Sequence, residues 1–207
     1  MGKIKLAVLA SGRGSNFKAI LEEIKAGRCN AEPVVMITNK PDAPAIEIAK
    51  QNSIPVEIVL KKEFADREEM DLKIKELLDQ HGTELVVLAG YMLILKGKGL
   101  LEAYRNKIIN IHPALLPSFP GVDAQKQAFD HGVKISGVTI HFVDASLDGG
   151  PIIYQEAVDI SDCKTAEETA AKILKIEHTA YAKAVDSFSK GRYEVEGRRT
   201  KFIEDKP

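Results

Sequence analysis

The chain has 207 residues, 44% of them apolar and 29% charged, and its 29 basic and 30 acidic residues leave a formal charge of -1. That length can bury one sizeable core without disulfides or metals, and the near-neutral balance excludes a polyanion binder, which needs clustered Lys and Arg where this chain offers only the short Arg198-Arg199 pair. Cys29 and Cys163 lie far apart and are expected to be reduced, Met1–Ala10 is too short for a signal segment, and no apolar run approaches ~20 residues, so the expectation is a soluble, cytoplasmic protein.

Apolar runs alternate with amphipathic stretches from the start. Ile4–Leu9 is a predicted buried strand, followed by a Gly-rich turn and a helix patterned on Phe17, Ile20, Leu21 and Ile24. Val34–Thr38 is a second strand, with a short helix near Ala45–Asn52, and Val56–Val59 is a third. Asp66–Gln80 has helical spacing at Met70, Ile74, Leu77 and Leu78; Leu85–Leu88 and Lys107–His112 are strands four and five. Short turns between apolar strands imply an α/β domain with a mostly parallel sheet covered on both faces. Further on, Ile135–Val143 and Ile152–Asp159 are joined too closely to be parallel, so a mixed sheet is expected there. Thr165 and Glu168 form a capping box for a long helix running to about Ser189, with Gly191 as its stop. No repeat or linker divides the chain, which reads as one domain.

Ser11-Gly12-Arg13-Gly14-Ser15-Asn16 sits between the first strand and the first helix. A helix N-terminus offers unpaired N–H groups and a partial positive charge, which suit a phosphate. The dinucleotide fingerprint would need a third Gly near Phe17 and an acid where Thr38-Asn39 stands, and the nucleotide P-loop would need a Gly-Lys-Ser/Thr ending. What remains is a single sugar phosphate, or a turn whose glycines serve geometry alone.

Asn110 and His112 share one side of strand five at its C-terminal end, where open α/β sheets place ligands. An amide donor beside an imidazole suits acyl transfer: the amide holds a developing oxyanion and the imidazole moves a proton. Asp148-Gly149-Gly150-Pro151 reads first as a turn, although a carboxylate near His112 would set its tautomer and stabilise the imidazolium. Glu177 lies on or beside an apolar stripe of Ile173, Tyr181 and Val185, either buried and in need of a partner or reaching solvent at the margin.

Together these pieces resemble the phosphoribosylglycinamide formyltransferase family, a branch of the folate-dependent formyltransferases, over essentially the whole chain. The matching residues are Ser11-Gly-Arg-Gly-Ser-Asn16, Arg67 in Asp66-Arg-Glu-Glu-Met-Asp71, Leu88-Ala-Gly-Tyr-Met-Leu-Ile-Leu95, Asn110-Ile-His-Pro-Ala-Leu-Leu-Pro117, His141-Phe142-Val143, Leu147-Asp-Gly-Gly-Pro151 and Glu177-His178. The resemblance implies a single-domain, Rossmann-like formyltransferase fold: a phosphate-binding half over about 1–105, a folate-binding and catalytic half over about 106–190, and a tail over 191–207. It implies formyl transfer from 10-formyltetrahydrofolate, the cosubstrate, to glycinamide ribonucleotide in purine biosynthesis. Gly14, Ser15 and Asn16 would hold the phosphate. Arg67, Met92, Leu93, Ile94, Leu95 and Asn110 would contact folate. His112 would transfer protons with Asp148 tuning it, and Glu177 would meet the substrate amine. The Val143–Gly150 segment would line the pterin pocket. Leu93 and Asp123 depart from the family, where many relatives carry Arg and His. The expected partners are small-molecule substrates, with no metal, nucleic acid or membrane, in a monomer or weak homodimer. The rivals are another formyltransferase or deformylase on the same core, and a non-catalytic phosphate- or folate-binding module.

Overall fold

In the computed structural model, which describes residues 2–205, a seven-stranded sheet runs in the order β3-β2-β1-β4-β5-β6-β7. The first five strands in chain order are parallel: β1 (Ile4–Leu9), β2 (Ala31–Thr38), β3 (Val56–Ile58), β4 (Leu85–Leu88) and β5 (Ile108–His112). β6 (Ile135–Phe142) and β7 (Ile152–Asp159) add antiparallel at one margin, as their short connection requires. The chain goes outward from β1 to β3, then returns to β4 on the other side of β1. The sheet therefore has a switch point between β1 and β4, where the diverging connections leave a crevice at the strand ends.

Alternation along the strands divides the core. Leu6 and Val8 of β1 face α1 (Ser15–Lys25), α2 (Ala45–Gln51) and α6 (Ala166–Ser187) through Phe17, Ile20, Ile46, Ile173 and Tyr181. Ala7 and Leu9 face the other way, toward Met70, Ile74 and Leu78 of α3 (Arg67–Gln80) and Leu100 of α4 (Lys98–Ala103). Asp66 caps α3 and Thr165 caps α6, each accepting from the N–H three residues on. From α6 the wholly buried Tyr181 reaches under the sheet, its hydroxyl lying 3.1 Å from the Leu88 carbonyl and 3.0 Å from that of Ile109, which ties the ends of β4 and β5 from below.

Several elements differ from the sequence expectation. α6 stops at Ser187, two residues before the expected Ser189, and β6 ends at Phe142 rather than Val143. α4 and α5 (Ala124–Asp130) were not anticipated, since each is under two turns long and flanked by glycine, where periodicity carries little signal. The expected tail is a hairpin as far as the described residues reach, β8 (Gly191–Glu196) and β9 (Arg199–Glu204), with Lys206 and Pro207 outside them. Tyr193 of the hairpin packs on Phe188 and Phe142, and the Thr200 hydroxyl donates to the Ile152 carbonyl of β7 at 2.6 Å. Both cysteines are free, and among the described residues no helix is long and apolar enough to cross a membrane.

Candidate active site

The glycine turn leaves β1 at the switch point. Ser11 does not face outward: its N–H donates to the Gly90 carbonyl at 3.1 Å, its hydroxyl donates to Asn39, and the same oxygen accepts the Met92 N–H at 2.9 Å. One buried serine thus joins the connections that follow β1, β2 and β4. Gly14 precedes α1 with φ at 72°, and a Cβ there would stand 2.9 Å from the Cβ of Ala45, so both backbone and space demand glycine. The first helical bond of α1 runs from the Lys18 N–H to the Gly14 carbonyl, leaving the N–H groups of Ser15, Asn16 and Phe17 without helical partners. Asn16, buried, donates to Glu177 of α6 at 2.8 Å, while its own amide oxygen has no partner among the described residues. Glu177 is therefore buried and paired, which settles the alternative left open by helical spacing. Burial pushes its carboxyl above the usual range, opposed by the bond from Asn16.

Beyond the switch point a cleft of about 450 Å³ opens. The strand register explains its polar floor. Asn110 of β5 lies directly opposite His141 of β6, so their side chains share a face, with the Asn110 amide nitrogen 3.3 Å from His141 Nε2. His141 Nδ1 is 2.8 Å from the Phe142 carbonyl, which can only accept, so Nδ1 carries the proton and Nε2 accepts from Asn110. Burial holds the His141 imidazole below its ordinary range, against the opposing pull of the Phe142 carbonyl and Asp148. His112 has Nε2 at 2.7 Å from the Phe119 carbonyl and Nδ1 at 3.4 Å from an Asp148 oxygen. The carbonyl can only accept, so Nε2 carries a proton, and Nδ1 is the nitrogen that faces the carboxylate. That same Asp148 oxygen accepts the Gly121 N–H at 2.8 Å, and the other oxygen lies 3.7 Å from His141 Nε2. Asp148 has φ at 50°, a left-handed conformation that Asp tolerates better than most residues, and it aims the carboxylate at both imidazoles.

The loop after β5 is held from beneath. Thr139 accepts the Leu116 N–H at 3.0 Å and donates to the Ala114 carbonyl at 2.7 Å, and Gln155 of β7 donates to the Leu116 carbonyl at 2.9 Å. The outer walls are apolar: Met92, Ile94, Val122 and Leu147 stand exposed around the mouth. Leu93 and Leu95 also line the cleft, as do Val143, Asp144 and Ser146. Arg67 reaches this wall from α3, donating to the Ile94 carbonyl at 2.7 Å.

The structure thus gathers Asn110, His112 and Asp148 around one floor, with Met92–Leu95 beside them and Gly14–Asn16 across the Ser11 bridge. Glu177 lies against the glycine turn. Asp123 lines the cleft, and Arg67 supports the wall from behind. Sequence reasoning missed His141 as a site residue, although it stands within a motif that carried the family resemblance; its signal was the pairing of β5 with β6, which places it opposite Asn110.

Comparison with known proteins follows the same outline. A family model described as formyl transferase matches residues 4–185. Phosphoribosylglycinamide formyltransferase of Bacillus subtilis is 44% identical over 181 residues, covering 87% of this chain and 92% of that one. The crystal structure of glycinamide ribonucleotide transformylase 1 from Symbiobacterium toebii superposes with a TM-score of 0.93 at 40% identity, over 98% of this chain and 95% of the other. A formyltetrahydrofolate deformylase from Pseudomonas syringae shares the fold at a TM-score of 0.87 and 28% identity, this chain spanning 66% of it.

Proposed function

The chain belongs to the formyl transferase family, and from that premise we propose that it transfers the formyl group of 10-formyltetrahydrofolate to the amine of glycinamide ribonucleotide, a step of purine nucleotide biosynthesis. The observation that carries this reading is the junction at Ser11, which joins a helix N-terminus free to take one phosphate to a cleft floored by an amide, two imidazoles and a carboxylate.

The phosphate rests on the N–H groups of Ser15 and Asn16 and on the Ser15 hydroxyl, close to the left-handed turn at Gly14. Glu177, beside the same turn, engages the rest of the ribonucleotide toward its amine. The apolar walls suit a pterin ring and its extension, with Met92–Leu95 presenting backbone groups and Arg67 behind them. The residues present therefore fit the folate cosubstrate: a cleft of about 450 Å³ with an apolar rim and few charged side chains.

The reaction begins when the amine lone pair attacks the formyl carbon, forming a C–N bond and leaving negative charge on the formyl oxygen. Asn110 has two N–H donors, one directed to His141 and the other free for that oxygen. His141, fixed in one tautomer by the Phe142 carbonyl, holds the Asn110 amide the right way round. His112 supplies the mobile proton through Nδ1, the nitrogen not bound to the Phe119 carbonyl, with the Asp148 carboxylate beside it. As the intermediate collapses, the bond from carbon to the folate nitrogen breaks. That nitrogen gains a proton, and the attacking amine loses one.

A steady-state assay with 10-formyltetrahydrofolate, with and without glycinamide ribonucleotide, tests the reading. Formyl transfer that requires the ribonucleotide is the expected result. Release of formate at the same rate without it points to the hydrolase reading, and no turnover in either case leaves only a binding module.

A further inference from the structure

The segment between β4 and α4, Ala89–Gly97, contains no helix and no strand, yet it carries the apolar wall of the cleft. A loop without a hydrogen-bond ladder needs some other restraint to hold a binding surface. Here much of that restraint comes from one side chain. Asp71 of α3 is wholly buried, and its Oδ2 accepts the N–H groups of both Lys96 and Gly97 at 2.8 Å each. Its Oδ1 accepts from Arg67 Nη2 at 3.1 Å, and that same guanidinium nitrogen donates to the Ile94 carbonyl at 2.7 Å. The approach is close: a Cβ on Gly97 would lie 2.5 Å from the Cβ of Asp71. Glu68, one turn earlier on α3, accepts the next N–H groups, of Lys98 and Gly99. An ion pair serving the core alone would be closed on itself, whereas here both partners hold backbone groups of Ile94–Gly97.

We infer that Asp71 is a positioning residue for the folate side of the site: with Arg67 it clamps Ile94–Gly97 and so fixes where Met92–Leu95 meets the cosubstrate. The inference rests on the reading of this cleft as the folate side. Charge-assisted bonds from buried N–H groups to a carboxylate are among the stronger ones, so their loss frees the loop rather than loosening it slightly. An asparagine can turn its single oxygen to Lys96 and Gly97 but then presents N–H to the Arg67 guanidinium, where donor meets donor. Alanine removes every contact.

Two measurements on the full chain test this. In steady-state kinetics Asp71→Asn is expected to raise KM for 10-formyltetrahydrofolate about tenfold, and Asp71→Ala further, with kcat and the ribonucleotide KM within about twofold of wild type. In the ligand-free protein, amide hydrogen exchange at Lys96 and Gly97 is expected to accelerate in both variants while Ile74 and Leu78 of α3 stay protected. If Asp71→Ala does not fold, Asp71→Asn decides. A folded variant with an unchanged folate KM overturns the inference, as does an equal loss in both KM values and kcat. Unaltered exchange at Lys96 and Gly97 overturns the clamp without reference to any substrate. Failure of the wild type to use formylfolate is a separate result, and it strikes the reading of the cleft itself.

Discussion

The glycine turn and the cleft floor meet at the same end of the same sheet, but they are assembled in opposite ways. The turn occupies six consecutive residues, and most of the donors it offers are backbone N–H groups set by one left-handed glycine and one helix start. The floor draws on positions 110, 112, 121, 141 and 148, brought together by an antiparallel pairing and a left-handed aspartate. Backbone donors cannot be removed by side-chain substitution and are insensitive to pH. Side-chain donors can be deleted singly. The two regions should therefore fail differently when altered.

The largest contrast is expected at the floor. Loss of one oxyanion donor costs roughly 10²–10³ in turnover and loss of a proton-transfer group roughly 10²–10⁴, so Asn110→Ala and His112→Ala should each lower kcat by about those factors with little change in the ribonucleotide KM. Full turnover in both variants would remove the floor from the chemistry. A smaller and different effect is expected at the turn. Ser15→Ala with Asn16→Ala should weaken ribonucleotide binding about tenfold, since the backbone cradle survives, and leave the folate KM nearly unchanged. Equal losses for both ligands, measured by titration calorimetry, would erase the distinction between the regions.

The smallest effect joins the two. Burial raises the Glu177 carboxyl in the folded state, so its contribution to stability is greatest below the ordinary carboxylate range and declines as pH rises through the folded-state value. Glu177→Gln keeps an acceptor for Asn16 and carries no charge. The ligand-free variant should therefore melt about 2–4 °C above wild type near pH 7 for each ~1 kcal/mol relieved, a gap that closes on acidification. It should also bind the ribonucleotide less well. A variant less stable than wild type at neutral pH would show that the charge is compensated by something other than Asn16.

The same difference governs what could be read before any coordinates. The parallel half was legible because buried strands are continuous apolar runs and the turn is a local pattern: Ile4–Leu9 and Leu85–Leu88 begin and end where expected. The antiparallel margin was legible from a short connection. Local spacing, however, carries no information about distance across a sheet. The contact of His112 with Asp148 spans thirty-six positions, from 112 to 148, and rested on chemical expectation until the fold supplied it. His141 was overlooked because a histidine beside Phe142 in a strand looks like core until its partner strand is known. The hairpin was read as a tail although Tyr193 and Val195 alternate with glutamates, because so short a polar ribbon has no core of its own and is stabilised by the aromatic rings it lands on.

Those rings tie the periphery to the chemistry. Phe142 stacks edge-on against Phe188 and Tyr193 through its side chain, while its carbonyl accepts a hydrogen bond from His141 Nδ1–H. An aromatic clasp that touches no ligand thereby anchors the residue that decides which imidazole nitrogen stays bare for Asn110. Sequence drift at Tyr193 or Phe188 is on this account not silent: through Phe142 and His141 it would reach the Asn110 amide at the floor of the cleft.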